Sequence, residues 1–177
     1  MTITEKHVFF WGDWPSNFAW APMKVKCMDG QVHEFFSSEQ CFMWHKAWYF
    51  KDFDILAQIE ALNFKEADSS KAKKLGRKVK DFDEEKWNAV SYDVMLLACL
   101  GKYSQNKILF DKITDPKFDG KHFVEASPYD AIWGIKMGEF DKNIDDETKW
   151  NGENRLGKVL DEVRAKLLDG YKEEIEY

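Results

Sequence analysis

Glu39 and Lys46 stand seven residues apart, two helical turns with an offset of only ~20°. On a helix they would share one face, with Phe42 between them. A carboxylate and an amine so placed could line one pocket and handle protons and developing charge together. The same pair has a plainer use, in which Glu39 favours the positive end of the helix and Lys46 lays its stem along an aromatic patch. Glu125 ends the apolar run Phe123-Val124 and precedes a stretch rich in Pro and Gly, a placement that fixes an acid while leaving it accessible. Asp130 suits the capping of a turn before Ile132-Trp133-Gly134. Trp133 read alone fits a core, and Gly134 fits a residue of positive φ. The glycines of WNGENRLG lie near a helix start, where free N–H groups bind phosphate, but without the spacing of a P-loop or a dinucleotide fingerprint. His7, His33, His45 and His122 show no paired-ligand spacing, and no G-x-S-x-G elbow is present, so neither a metal, a cofactor nor a serine nucleophile is expected.

These side chains need elements to hold them. Ser37 followed by Gln40 is a capping-box pattern, and Phe42, Met43, Trp44, Ala47, Trp48 and Phe50 continue at helical spacing, which predicts a helix over 38–51. Ile55, Leu56, Ile59 and Leu62 mark a second helix, and Ala72, Leu75 and Val79 a third. From Asp83, the residues Trp87, Val90, Val94 and Leu97 form one face of a fourth. Ile108, Leu109 and Ile113 suggest a short fifth helix from about Gln105, ended by Thr114-Asp115-Pro116. Leu156, Leu160, Val163 and Leu167 define a C-terminal helix with Glu162 and Arg164 on its wetter faces. Short apolar pieces at Val8–Phe10, Met23–Cys27 and Phe123-Val124 read as strands, with a turn at Asp29-Gly30. The expected class is α+β, a mostly helical single domain over residues 1–177 with a small β-sheet.

The 177 residues suffice for one sizeable core. Lys and Arg number 26 against 32 Asp and Glu, a net charge of -6, which argues against a general attraction to polyanions. Three separated cysteines cannot close into a fully paired disulfide framework and fit a reducing compartment. No stretch approaches the ~20 apolar residues of a membrane span, and the first residues do not resemble a leader; a soluble cytosolic protein without a membrane partner is expected. Aromatic residues make up 16% of the chain, with 8 Trp and 14 Phe, enough both to fill a core and to build walls on which bases stack.

Read in order, Ser16-Asn17-Phe18, SSEQCFMWHKA at 37–47, LGRKVK at 75–80, Trp87, YDVM at 92–95, Lys102, VEASPYDAIWGI at 124–135 and WNGENRLGKVLDEVR at 150–164 resemble the successive motifs of the NADAR (YbiA-like) family over about residues 9–167. The resemblance implies a largely helical fold and cleavage of N-glycosidic bonds. The implied substrates are ribosylated or phosphorylated intermediates of riboflavin biosynthesis, or ADP-ribosylated guanine, so nucleic acid would enter only as an ADP-ribosylated substrate. Carried over by motif position, Glu39, Lys46 and Glu125 are the implied catalytic group. Asn17, Phe18, Trp44, Arg77, Trp87, Asp93, Asp130, Trp133, Gly134, Asn154 and Gly157 are the implied substrate-binding residues, with Arg77 placed to meet a phosphate. The pattern departs at Lys136-Met137, where many relatives continue with glycine. A non-catalytic NAD- or ADP-ribose-binding module is the alternative; a pocket that only bound phosphates would have little use for two acids and a nucleophilic amine.

Overall fold

The computed structural model describes residues 1–62 and 69–172, in which the elements run β1 (Thr2–Ile3), β2 (His7–Phe10), β3 (Met23–Lys26), β4 (Val32–Phe35), α1 (Ser38–Tyr49), α2 (Phe53–Glu60), α3 (Ser69–Gly76), α4 (Glu84–Ser104), α5 (Lys107–Ile113), β5 (His122–Glu125) and α6 (Arg155–Leu168). This is an α+β, mostly helical protein. Among the described residues the β-structure is two small sheets. No helix among the described residues is long and apolar enough to cross a membrane.

The chain divides into two compact units. One comprises Met1–Ser16 and Ile108–Tyr171. In it β2 lies between β1, antiparallel to it, and β5, parallel to it, with Phe10 opposite Glu125. All four residues of β2 are buried, as a central strand covered on both faces requires. Helix α6 packs on β5 with Leu156, Val159, Leu160 and Val163 fully buried. Arg164, expected on a wet face, is instead buried: its guanidinium donates to the Ile113 carbonyl at 2.6 Å and pairs with Asp119. A planar fork of donors can be buried when each donor meets an acceptor, and helical spacing does not reveal those acceptors.

The other unit comprises the described residues of Asn17–Lys107, with Lys172. The β3–β4 hairpin pairs Met23 with Phe35 and turns at Gly30, whose φ of +80° favours glycine. Helix α1 packs against α2, α3 and α4. Ser37 Oγ caps it by accepting the Gln40 N–H, while Gln40 reaches past the usual partner to accept the Phe36 N–H at 2.9 Å. The Gln40 amide also donates to the carbonyls of Ile59 and Leu62, tying α1 to the end of α2. On α4 the buried face runs through Trp87, Ser91, Val94, Met95, Ala98 and Lys102. Val90 and Leu97 are only half-buried, so the face is rotated from the one the larger apolar residues indicate.

Asp52 joins two pieces of this unit. Its carboxylate caps α2 through the Ile55 N–H and accepts the Lys80 N–H at 2.9 Å, beyond α3. These contacts, with the Lys80 amide foremost, hold the carboxyl below its ordinary value of 3.8. Asp52→Ala is expected to lower stability by about 1–2 kcal/mol, read by urea denaturation. Because the folded value lies below the unfolded one, the carboxylate's contribution is present above the unfolded value and is lost as pH falls through the folded one. The difference between wild type and variant should therefore shrink as pH is taken below 3.8.

Candidate active site

In the Asn17–Lys107 unit, the first turns of α1 are built around Asn17. The Asn17 carbonyl accepts the Glu39 N–H at 3.0 Å, and the Ser38 hydroxyl lies 2.9 Å from Asn17 Oδ1. This strap holds Asn17 against the helix start, where Glu39 is only 6% exposed. Lys46, two turns on, is half-buried. Burial of its ammonium pulls its pKa below the ordinary 10.5, the negative charge of Glu39 opposes that shift, and the positive charge of Arg77 adds to it. Glu39, Lys46 and Arg77 thus form one electrostatic group, as a shared helix face and a charge at the end of α3 would allow. The Lys46 Nζ sits 4.3 Å from the centre of the Phe82 ring, an aromatic neighbour that sequence spacing did not indicate.

The other motif residues of this unit differ in burial. Trp44 is 1% exposed; His33 and Phe35 lie against its ring at 4.5 and 6.1 Å, and its Nε1 donates to Glu60. Trp87, 6% exposed, packs on Phe42 and Tyr49. Both tryptophan rings are buried in the core among these neighbours. Phe18 remains exposed, with Lys73 Nζ 5.7 Å from its ring centre. Arg77 and Asp93 are exposed as well.

Lys102, named above only as a motif position, is a buried cation in the same unit. It is fully buried on α4, its pKa pushed down to about 8 by burial, and its positive charge acts on Cys99, as does the negative charge of Glu39. The available signal is helical spacing, since Lys102 falls on the face of Met95, Ala98 and Cys99.

In the unit containing β5, the strand delivers half-buried Glu125 to its end. Asn154 brackets that end: its Oδ1 accepts the Glu125 N–H and its Nδ2 donates to the Phe123 carbonyl, both at 3.0 Å. Asn154 begins α6 with a left-handed φ of 52° and no side-chain cap bond, because its amide is committed to the strand. Asp130 forms the expected turn, its Oδ1 accepting the Ile132 and Trp133 N–H groups at 2.8 Å each. Residues 131–134 are locked to 153–156 by successive backbone bonds, from Glu153 N to Ala131 O through Leu156 N to Trp133 O. Trp133 is half-buried, with the Arg155 guanidinium 4.8 Å from its ring centre. Gly134 does not have the positive φ suggested for it; a Cβ there would lie 2.9 Å from the Glu125 carbonyl and 3.0 Å from Ser127 Cβ, so close packing explains the glycine. The left-handed position is Lys136, with φ 50°. This is where the family pattern continues with glycine, and a lysine there carries a backbone cost of ~1–2 kcal/mol.

The comparisons with known proteins bear on the family and the fold. The NADAR domain model matches residues 4–168. Protein irg-1 of Caenorhabditis elegans is 42% identical over 87% of this chain and 73% of its own length. N-glycosidase R617 of Acanthamoeba polyphaga mimivirus is 34% identical over 91% of this chain and 96% of its own. The NMR structure of the E. coli protein YbiA superposes with a TM-score of 0.68 at 25% identity, covering 95% of this chain and 88% of that one. The chain belongs to the NADAR family and has a YbiA-like fold.

Proposed function

We propose that the protein is an N-glycosidase that hydrolyses the bond between a nitrogen base and a ribose bearing phosphate or ADP. One observation carries the reading: a lysine whose ammonium is destabilised by burial shares a helix face with a buried carboxylate. The homologue named as an N-glycosidase supports it. Departure of the base builds positive charge on the sugar, which the Glu39 carboxylate would stabilise while a donor protonates the base nitrogen. In a second route, the neutral Lys46 amine attacks C1 of the ring-opened sugar. The base leaves with a proton, a Schiff base remains, and water hydrolyses it to release the sugar and the amine.

Glu125 completes the proposed catalytic group on the strength of its motif. Phe18 and Trp133 are the aromatic faces proposed for the base, and Arg77 for phosphate. Asn154, Gly134, Gly157 and Asp130 shape the surrounding backbone; Asn17 supports α1, and Asp93 is retained as a polar contact. Residues 1–177 are taken as one functional domain, since one family model spans both compact units. The cysteines of the described residues are free thiols, which fits a cytosolic setting.

The test is mass-spectrometric detection of released base and sugar from a ribosylaminopyrimidine phosphate, NAD and ADP-ribosylated guanine in DNA. Wild type should release base from at least one of them. Glu39→Gln should lower that release by about 10²-fold or more with its fold retained, and Glu125→Gln tests the second acid in the same assay. Binding of ADP-ribose with no release from any substrate would instead favour the binding module.

A further inference from the structure

The aromatic ring beside Lys46 offers a place for the leaving base. Phe82 stands between the LGRKVK segment at 75–80 and Trp87 and belongs to neither motif. Lys46 Nζ lies 4.3 Å from the centre of its ring. The backbone on both sides of Phe82 is fixed. Asp81 before it has a left-handed φ of 55°, and Asp83 after it caps α4 by accepting the Lys86 N–H at 3.1 Å. Phe50 meets the ring edge-on, with centroids 5.4 Å apart. Phe82 is nevertheless 45% exposed, and with Asp83, Glu84, Glu85 and Asn88 it lines an open cleft of about 590 Å³. Clefts of that size take small organic ligands. A ring that is held in place and yet exposed suits a stacking surface, because little ordering is left to be done on binding.

We propose that Phe82 is the stacking surface for the leaving base, and so a specificity-determining residue of the proposed hydrolysis, on whose assignment of Lys46 the inference rests. For attack, C1 of the sugar must come within about 3–3.5 Å of Lys46 Nζ. The base nitrogen is one bond beyond C1, which brings the base within reach of a ring centred 4.3 Å from the same Nζ. Charge decides which end of the substrate lies there. The carboxylates of Asp83, Glu84 and Glu85 line the cleft with Phe82 and repel a phosphate at close range. The positive charge of Arg77, which also acts on Lys46, suits the phosphate end instead. An uncharged base meets no such repulsion and has a π-face to lay against the ring. The substrate is thus oriented with its base toward Phe82 and its phosphate away from the cleft. Phe82 adds to the motif-derived faces Phe18 and Trp133 a surface in direct contact with the proposed nucleophile.

The probes are adenine, cytosine and nicotinamide, free bases that leave nothing to hydrolyse, and ribose 5-phosphate, which has no base. Each is titrated with the full chain and followed by ligand-observed NMR. Wild type should bind at least one of the bases. Phe82→Ala and Phe82→Leu should weaken that binding by about tenfold while changing the affinity for ribose 5-phosphate by less than about twofold. Phe82→Trp should bind the base at least as tightly as wild type, a recovery that a merely structural role does not predict. Phe82→Leu keeps an apolar neighbour for Phe50 and so serves where alanine unsettles the fold, which thermal melting reports for each variant. Unchanged base affinity in Phe82→Leu, equal losses for base and ribose 5-phosphate, or binding of no base by wild type would overturn the proposal. The titrations need no turnover, so failure of the stacking surface is read apart from failure of hydrolysis, which the mass-spectrometric assay reports.

Discussion

Lys46→Ala is expected to lower release of base by about 10³-fold or more while shifting the melting temperature by no more than about 2 °C. The two effects separate because Lys46 is costly where it stands. Truncation removes the contact with the Phe82 ring, 4.3 Å from Nζ, worth about 0.5–1 kcal/mol at a partly exposed site. It also removes an ammonium that burial destabilises, and these terms oppose each other. Lys46→Arg divides the roles further, since a guanidinium retains the charge but does not deprotonate. A binding role would survive that change, and an amine nucleophile would not. With the amine route operating, borohydride added during turnover should trap a sugar adduct on wild type alone. A Lys46→Ala enzyme of undiminished activity would remove Lys46 from the mechanism.

The same lysine fixes the sign of a pH effect. Its folded pKa lies below the ordinary 10.5, so between the two values the unfolded chain binds the proton that the folded chain has lost. Stability contributed at this position therefore rises with pH across that window. Compared with Lys46→Ala, the wild type should gain relative stability as pH is raised toward 10.5, as followed by denaturant midpoints. Turnover through the amine should rise over the same interval.

Periodicity made α1, α2 and α6 legible, since each has a marked apolar stripe or a capping pattern, and the position of Glu125 at a strand end follows from Phe123 and Val124 alone. Periodicity misread residues whose burial depends on distant acceptors or on fit. Arg164 looks wet until the Ile113 carbonyl and Asp119 are brought to it. Val90 and Leu97 outweigh Ser91 and Ala98 in size, yet the smaller residues lie on the packed face of α4, where close approach favours them. For the candidate site, spacing placed Glu39 and Lys46 on one face. It could not show how deeply Trp44 and Trp87 are buried, because that depends on the hairpin and on other aromatic rings of α1. Nor could it distinguish the close-packed Gly134 from the left-handed Lys136, since both readings permit glycine.

Close packing also identifies the substitution expected to damage the fold most. A Cβ at Gly157 would lie 2.0 Å from the Phe123 carbonyl oxygen and within 2.4 Å of the Asn154 amide nitrogen. Neither neighbour can swing away freely. The carbonyl belongs to β5, paired in register with β2, and the Asn154 amide holds both Phe123 and Glu125. Gly157→Ala must push α6 off the strand or break the bracket, leaving buried backbone groups without partners at about 1–3 kcal/mol each. A loss of at least about 3 kcal/mol is therefore expected, visible as a large drop in the urea midpoint. Asn154→Ala removes the same bracket without the clash and should cost less, about 1–3 kcal/mol. Because Glu125 is the last residue of the bracketed strand, Asn154→Ala should also reduce turnover under conditions where the protein remains folded, as checked by circular dichroism alongside the base-release assay. If Gly157→Ala were as stable as wild type, the close approach of α6 to β5 would be wrong, and with it the account of how Glu125 is held.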